Sequence, residues 1–80
     1  MLHITKDTAL SADNIVKRAS DFFGGKGLGL EEKKRNSCCI TFEGGGGYVS
    51  INVVEAGSKR GVDAESREWD YQVKKFFETI

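Results

Sequence analysis

The chain contains no proline and only two cysteines in its 80 residues. Without proline, no slow X-Pro isomerisation complicates folding. Two adjacent cysteines, Cys38 and Cys39, are not the framework of a disulfide-stapled secreted domain, and they point to a reducing cytoplasm. An excess of one charge is also missing, because twelve Lys and Arg balance twelve Asp and Glu. Nucleic-acid binders carry a basic surplus, since phosphate neutralisation supplies most of their affinity, so nucleic acid is not an expected partner. No apolar run approaches a membrane span, and the opening "MLHITKDTAL" lacks the apolar stretch of a signal peptide. Neither membrane nor export is therefore expected.

What is present describes one small domain over residues 1–80. Hydrophobic residues make up 39% and charged residues 30%, ordinary for a globular chain and too apolar for disorder. A domain of this size buries only about 60–65% of the surface its unfolded chain exposes. Pairing with a second copy would be a natural supplement.

The hydrophobic period divides the chain into elements. Leu2 and Ile4 alternate with His3 and Thr5, a short strand signal. Ser11 is a good N-cap, with Leu10 and Ile15 spaced for a hydrophobic staple. Ile15, Val16, Ala19, Phe22 and Phe23 then share one helical face. Gly24 and Gly25 stop this helix, one of them expected in the left-handed conformation. From Leu28 the period becomes two: Leu28 and Leu30, then Cys38, Ile40 and Phe42, then Val49, Ile51 and Val53 read as the buried sides of antiparallel strands.

Register follows from parity, because a one-residue slip moves every side chain to the other face. With Gly44–Gly47 as a loop, Glu43 faces Tyr48, Phe42 faces Val49, Ile40 faces Ile51 and Cys38 faces Val53. A three-residue loop Lys34-Arg35-Asn36 pairs Leu30 with Ile40 and Leu28 with Phe42, and gives Asn36 a left-handed position it tolerates. A Gly57-Ser58 turn pairs Glu55 with Arg60, Val53 with Val62 and Ile51 with Ala64, which favours a strand through about Ser66. The competing reading starts the last helix at Asp63, with acidic residues in its first turn. Trp69, Val73, Phe76, Phe77 and Ile80 form a second amphipathic helical face. The expected fold is α+β: an antiparallel sheet of about 4–5 strands with two helices on one face, in the order β-α-β-β-β-β-α.

Signals of chemistry are sparse. A phosphate cradle needs a glycine-rich turn that opens a helix. Gly44–Gly47 opens a strand instead, and "GGKGLG" follows a helix, so both read as turns. Cys38 and Cys39, adjacent in a strand, should point to opposite faces and cannot share a metal; Cys38 reads as core and Cys39 as outer face. His3 reads as an exposed strand residue rather than a base. "KKRN" reads as a solvated hairpin tip. No catalytic, cofactor-binding or metal constellation is found, so no cofactor and no enzymatic activity are expected.

The outer face of the sheet remains, with Asn52 beside Asp63 and Ser50 beside Glu65. Thr41, Tyr48, Ser50 and Asn52 are its candidate partner-binding residues.

"FEGGGGYV" and "REWDYQVKKFF" resemble segments of short bacterial and archaeal proteins of unknown function, a resemblance that implies no activity. The element order also resembles a shortened helix-grip domain, in which a curved sheet wraps a C-terminal helix and often holds an apolar ligand. This chain has fewer strands, and Phe22, Phe23, Trp69, Phe76 and Phe77 occupy the space a ligand would take. The leading expectation is a non-enzymatic cytoplasmic interaction module that pairs with itself or another protein through an open sheet edge or the polar outer face. The alternative is a small-ligand binder with a pocket lined by Trp69 and Val73.

Overall fold

The computed structural model describes residues 2–80, with Ala56 through its backbone alone. Five strands and two helices follow in the order β1 (Leu2–Asp7), α1 (Ala12–Phe23), β2 (Glu31–Arg35), β3 (Cys39–Gly44), β4 (Gly47–Ala56), β5 (Lys59–Arg67) and α2 (Asp70–Phe77). All strand pairs are antiparallel and the sheet order is β1-β5-β4-β3-β2. This is the α+β order that the sequence periodicity gives. Residues 62–66 belong to β5, so the strand reading of that segment holds over the helical one.

The two central hairpins carry the expected register. Phe42 faces Val49 and Ile40 faces Ile51. Val53 faces Val62 and Ile51 faces Ala64. The glycine run is tighter than a four-residue loop, because Gly44 and Gly47 pair with each other and leave a Gly45-Gly46 turn. Both turn residues have positive φ, 58° and 81°, which glycine adopts without steric cost. Gly47 has a different reason for lacking a side chain: a Cβ there would collide with the Arg67 carbonyl and Glu68. The run therefore turns a corner and admits the β5–α2 connection against the sheet.

The alternating inner residues of β3, β4 and β5 pack against the two helices. Ile15, Ala19 and Phe23 of α1 and Val73 and Phe76 of α2 are fully buried. The helices meet through aromatic rings, with Phe23 and Phe76 centroids 5.4 Å apart and Phe22 and Phe76 5.5 Å apart. Phe42 joins this group from the sheet, 5.5 Å from Phe23. Ser11 caps α1, its hydroxyl accepting from the Asn14 N–H. Behind α2, the buried Ser66 hydroxyl donates to Asp70 in the helix's first turn.

Several expectations are corrected. Neither Gly24 nor Gly25 takes the left-handed conformation after α1; Gly24 is extended, and Gly29 has φ of 79°. The chain folds back onto the helix end, so that the Leu28 and Leu30 N–H groups donate to the Phe22 and Phe23 carbonyls. Leu28 and Leu30 thus belong to a capping loop, not to a strand, and Leu28 is exposed.

The β2–β3 register shifts accordingly. Glu31 faces Glu43 and Glu32 faces Phe42, and a bulge at Lys33 precedes Lys34 opposite Thr41. Leu30 does not face Ile40; its side chain fills the space that a Gly44 side chain would take. The turn is not Lys34-Arg35-Asn36 but the segment after Arg35, closed by Asn36 N–H donating to the Cys39 carbonyl. Asn36 Oδ1 also accepts from the Cys38 N–H at 3.0 Å, a local side-chain turn.

Cys38 and Cys39 do not point to opposite faces, because a disulfide joins them. Cys38 precedes β3, so strand alternation does not govern its side chain. The last helix is also shorter than its apolar pattern: Trp69 is the N-cap, and Ile80 packs on the core from beyond the helix end.

Candidate interaction surface

Opposite the helices, register sets the side chains in rows across the strands. Glu31, Glu43, Tyr48 and Arg67 form one row. Thr41, Ser50, Glu65 and His3 form the next, followed by Cys39, Asn52, Asp63 and Thr5. The expected neighbours Asn52 with Asp63 and Ser50 with Glu65 stand directly opposite one another. Thr41, Tyr48, Ser50 and Asn52 therefore share this face, each only half-buried.

Their surroundings differ. Thr41 and Tyr48 border an open groove of about 590 Å³ whose rim includes Glu31, Glu43 and Arg67. The glycine turn forms one end of this groove, because Gly46 and Gly47 offer backbone where other residues would offer side chains. Ser50, in the row of Thr41, and Asn52, in the row after it, lie outside the groove. Val54, 57% exposed, is the large exposed apolar residue of this face among those described.

Polar partners on the face are mutual. The Tyr48 hydroxyl donates to Glu65 at 3.0 Å. That hydrogen bond, with burial and the Glu65 charge, raises the phenol above its ordinary range by favouring the protonated form. His3 pairs through Nε2 with Asp63, bridging β1 and β5. Both links are diagonal, each joining a side chain to the row next to its own. Lys33 reaches Glu31 at 3.2 Å and offsets the charge that Glu31 shares with Glu43 across the strands.

The residues of the alternative pocket lie on the other side of the sheet. Val73 is fully buried in the core. Trp69 is half-buried, its ring covers Gly45, and its Nε1–H donates to the Gly44 carbonyl at 2.8 Å. The indole thus locks the glycine turn to the start of α2.

Sequence reasoning placed the outer-face residues but not the sheet order, so the position of β1 beside β5 went unread. Contacts at β1 had no pattern to reveal them. The Lys6 ammonium donates to the Phe77 carbonyl at the end of α2, at 2.7 Å. Cations are favoured at that end of a helix.

Among the described residues, no group of three or more His, Cys, Asp or Glu side chains is placed to hold a metal ion. No helix among them is long and apolar enough to cross a membrane. No family model, curated protein or solved structure matches the chain.

Proposed function

We propose that this chain is a non-enzymatic, cytoplasmic protein-interaction module that associates with itself. One observation carries the reading: both helices cover the same face of the sheet. Among the described residues, no element covers Thr41, Tyr48, Ser50 and Asn52 on the other. The polar groups there are tied to one another in separate pairs, Tyr48 to Glu65 and His3 to Asp63, rather than converging on one point. Such an arrangement suits a contact surface better than a reaction centre, which needs groups aimed at a common reacting atom. A core limited by 80 residues also gains from a second copy. In a reducing cytoplasm, the Cys38 and Cys39 sulfurs would be held as two thiols.

Sedimentation equilibrium tests self-association. The expected mass moves between one and two copies of the 8.8 kDa chain as concentration rises through the micromolar range. A single-chain mass at every concentration would refute the reading. Ser50→Arg then separates the face from the edges of the sheet: it disrupts a dimer that stacks through the outer face and spares one that joins at a strand edge. Native mass spectrometry of fresh protein addresses the small-ligand alternative, because a constant extra mass on a monomer would favour it.

A further inference from the structure

We infer that the second copy docks on the free edge of β1, antiparallel, with Thr5 of each chain facing Thr5 of the other on the twofold axis. The inference rests on the self-association reading above and places the seam at a strand edge rather than on the outer face, so Ser50→Arg should leave this dimer intact.

The backbone decides which groups β1 offers. Thr8 N–H donates to the Arg60 carbonyl, so Thr8–Arg60 is a hydrogen-bonded pair position of the β1–β5 ladder. Hydrogen-bonded pairs recur at every second residue of an antiparallel ladder. Leu2, Ile4 and Lys6 therefore spend their N–H and C=O groups on Ser66, Ala64 and Val62. His3, Thr5 and Asp7 direct theirs the other way, where no strand lies among the described residues.

A second β1 can pair with these groups only in registers that keep odd residues opposite odd residues. Centring on Thr5 sets Thr5 against Thr5 and His3 against Asp7 in both directions. That makes three facing pairs, each exchanging two backbone hydrogen bonds. Sliding by two residues either way loses one of the pairs. The same parity keeps the helices of both copies on one side of the joined sheet, as a twofold axis normal to the sheet requires.

Side chains agree with this register. On the outer face, His3 of one chain stands opposite Asp7 of the other, and the imidazolium form, with a donor on each nitrogen, can hold Asp63 of its own chain and Asp7 across the seam. The His3 ring has a second nitrogen besides the Nε2 that holds Asp63. On the inner face, half-buried Ile4 meets the aliphatic stem of Lys6 from the second copy. The Lys6 ammonium is directed inward to Phe77 of its own chain, so it does not charge the seam. β1 also pairs with β5 over six residues without a bulge, which leaves its free side straight.

The test combines one variant with one measurement on the unaltered protein. Thr5→Pro removes an N–H that points to the free edge and leaves the β5 ladder intact, a placement proline tolerates on edge strands. It should weaken dimerisation by at least about tenfold in sedimentation equilibrium, as expected for two hydrogen bonds lost at the axis. Circular dichroism and Trp69 fluorescence should stay unchanged. In the unaltered protein, amide exchange at Thr5 should slow as concentration rises, while exchange at Ile4 stays slow throughout. A dimer that survives Thr5→Pro, or a Thr5 amide indifferent to concentration in a sample shown to dimerise, overturns the β1 site and leaves self-association standing. A protein that never dimerises overturns both. If Thr5→Pro fails to fold, the amide measurement alone decides.

Discussion

At one edge of the sheet, β2 reads Glu-Glu-Lys-Lys-Arg; at the other, β1 reads Leu-His-Ile-Thr-Lys-Asp. Every residue of β2 is exposed and charged, and a bulge at Lys33 interrupts its ladder. Glu32 lies opposite the inward-facing Phe42 but is held by the Ser20 hydroxyl at 3.2 Å and lies near Arg35. Charges, an inward carboxylate and a bulge are the devices by which natural sheets keep an edge from pairing. β1 has alternating half-buried side chains and an unbroken ladder, and its inward lysine is committed to the end of α2. The contrast shows where blocking devices are concentrated and where they are sparse.

The largest expected effect comes from confusing the two sides of β1. Ile4→Pro removes a donor aimed at β5 and should cost about 3 kcal/mol in urea unfolding, from an orphaned carbonyl and lost packing. Thr5→Pro next to it should cost the fold far less. Equal costs would contradict the alternation assigned to this strand.

Deleting Lys33 is the mirror experiment. It leaves Glu32 opposite Phe42 and Lys34 opposite Thr41 but closes the ladder into a regular one. The straightened edge should self-associate more readily, several-fold by light scattering at equal concentration, with the remaining charges limiting the rise. No change would mean that charge alone protects β2.

Glu43→Gln relieves the like charges of Glu31 and Glu43 and should raise stability by a few tenths of a kcal/mol, read from the thermal midpoint. Lys33 already reaches Glu31, which keeps the expected gain small.

Midway between the edges, Tyr48 should ionise above the ordinary range of about 10 in an absorbance titration of a Tyr71→Phe background. The fold favours the protonated phenol. That contribution is complete below the ordinary value and is lost as pH rises through the raised one. Glu65→Gln should bring the Tyr48 titration back down.

The β3–β4–β5 meander was legible because its turns are glycine-marked and its apolar residues alternate, so parity alone fixed register and face for Thr41, Tyr48, Ser50 and Asn52. The first helix was legible from its cap and its apolar stripe. β2 was not, because a strand of five charged residues carries no period, whereas Leu28 and Leu30 imitate one. Those leucines are spaced by a capping loop whose N–H groups return to the helix carbonyls. The cysteine pair misled for another reason: strand alternation assumes that side chains are independent, and a bond between neighbours breaks the assumption. The edge position of β1 depends on a pairing between distant segments, which local pattern does not encode.

That distant pairing also bears on synthesis. His3 and Asp63, joined across β1 and β5, are 60 residues apart in the chain. At about 5–20 residues per second, β1 leaves the ribosome roughly 3–12 s before its partner strand. The β3–β4–β5 meander can form from short-range hairpins, whereas β1 docks only when the far end of the chain arrives. For those seconds both sides of β1 lack a partner, and neighbouring ribosomes on one message hold other copies in the same condition. Exchange of β1 between nascent chains is then the characteristic hazard of this topology, and wider spacing of ribosomes along the message is the condition that suppresses it.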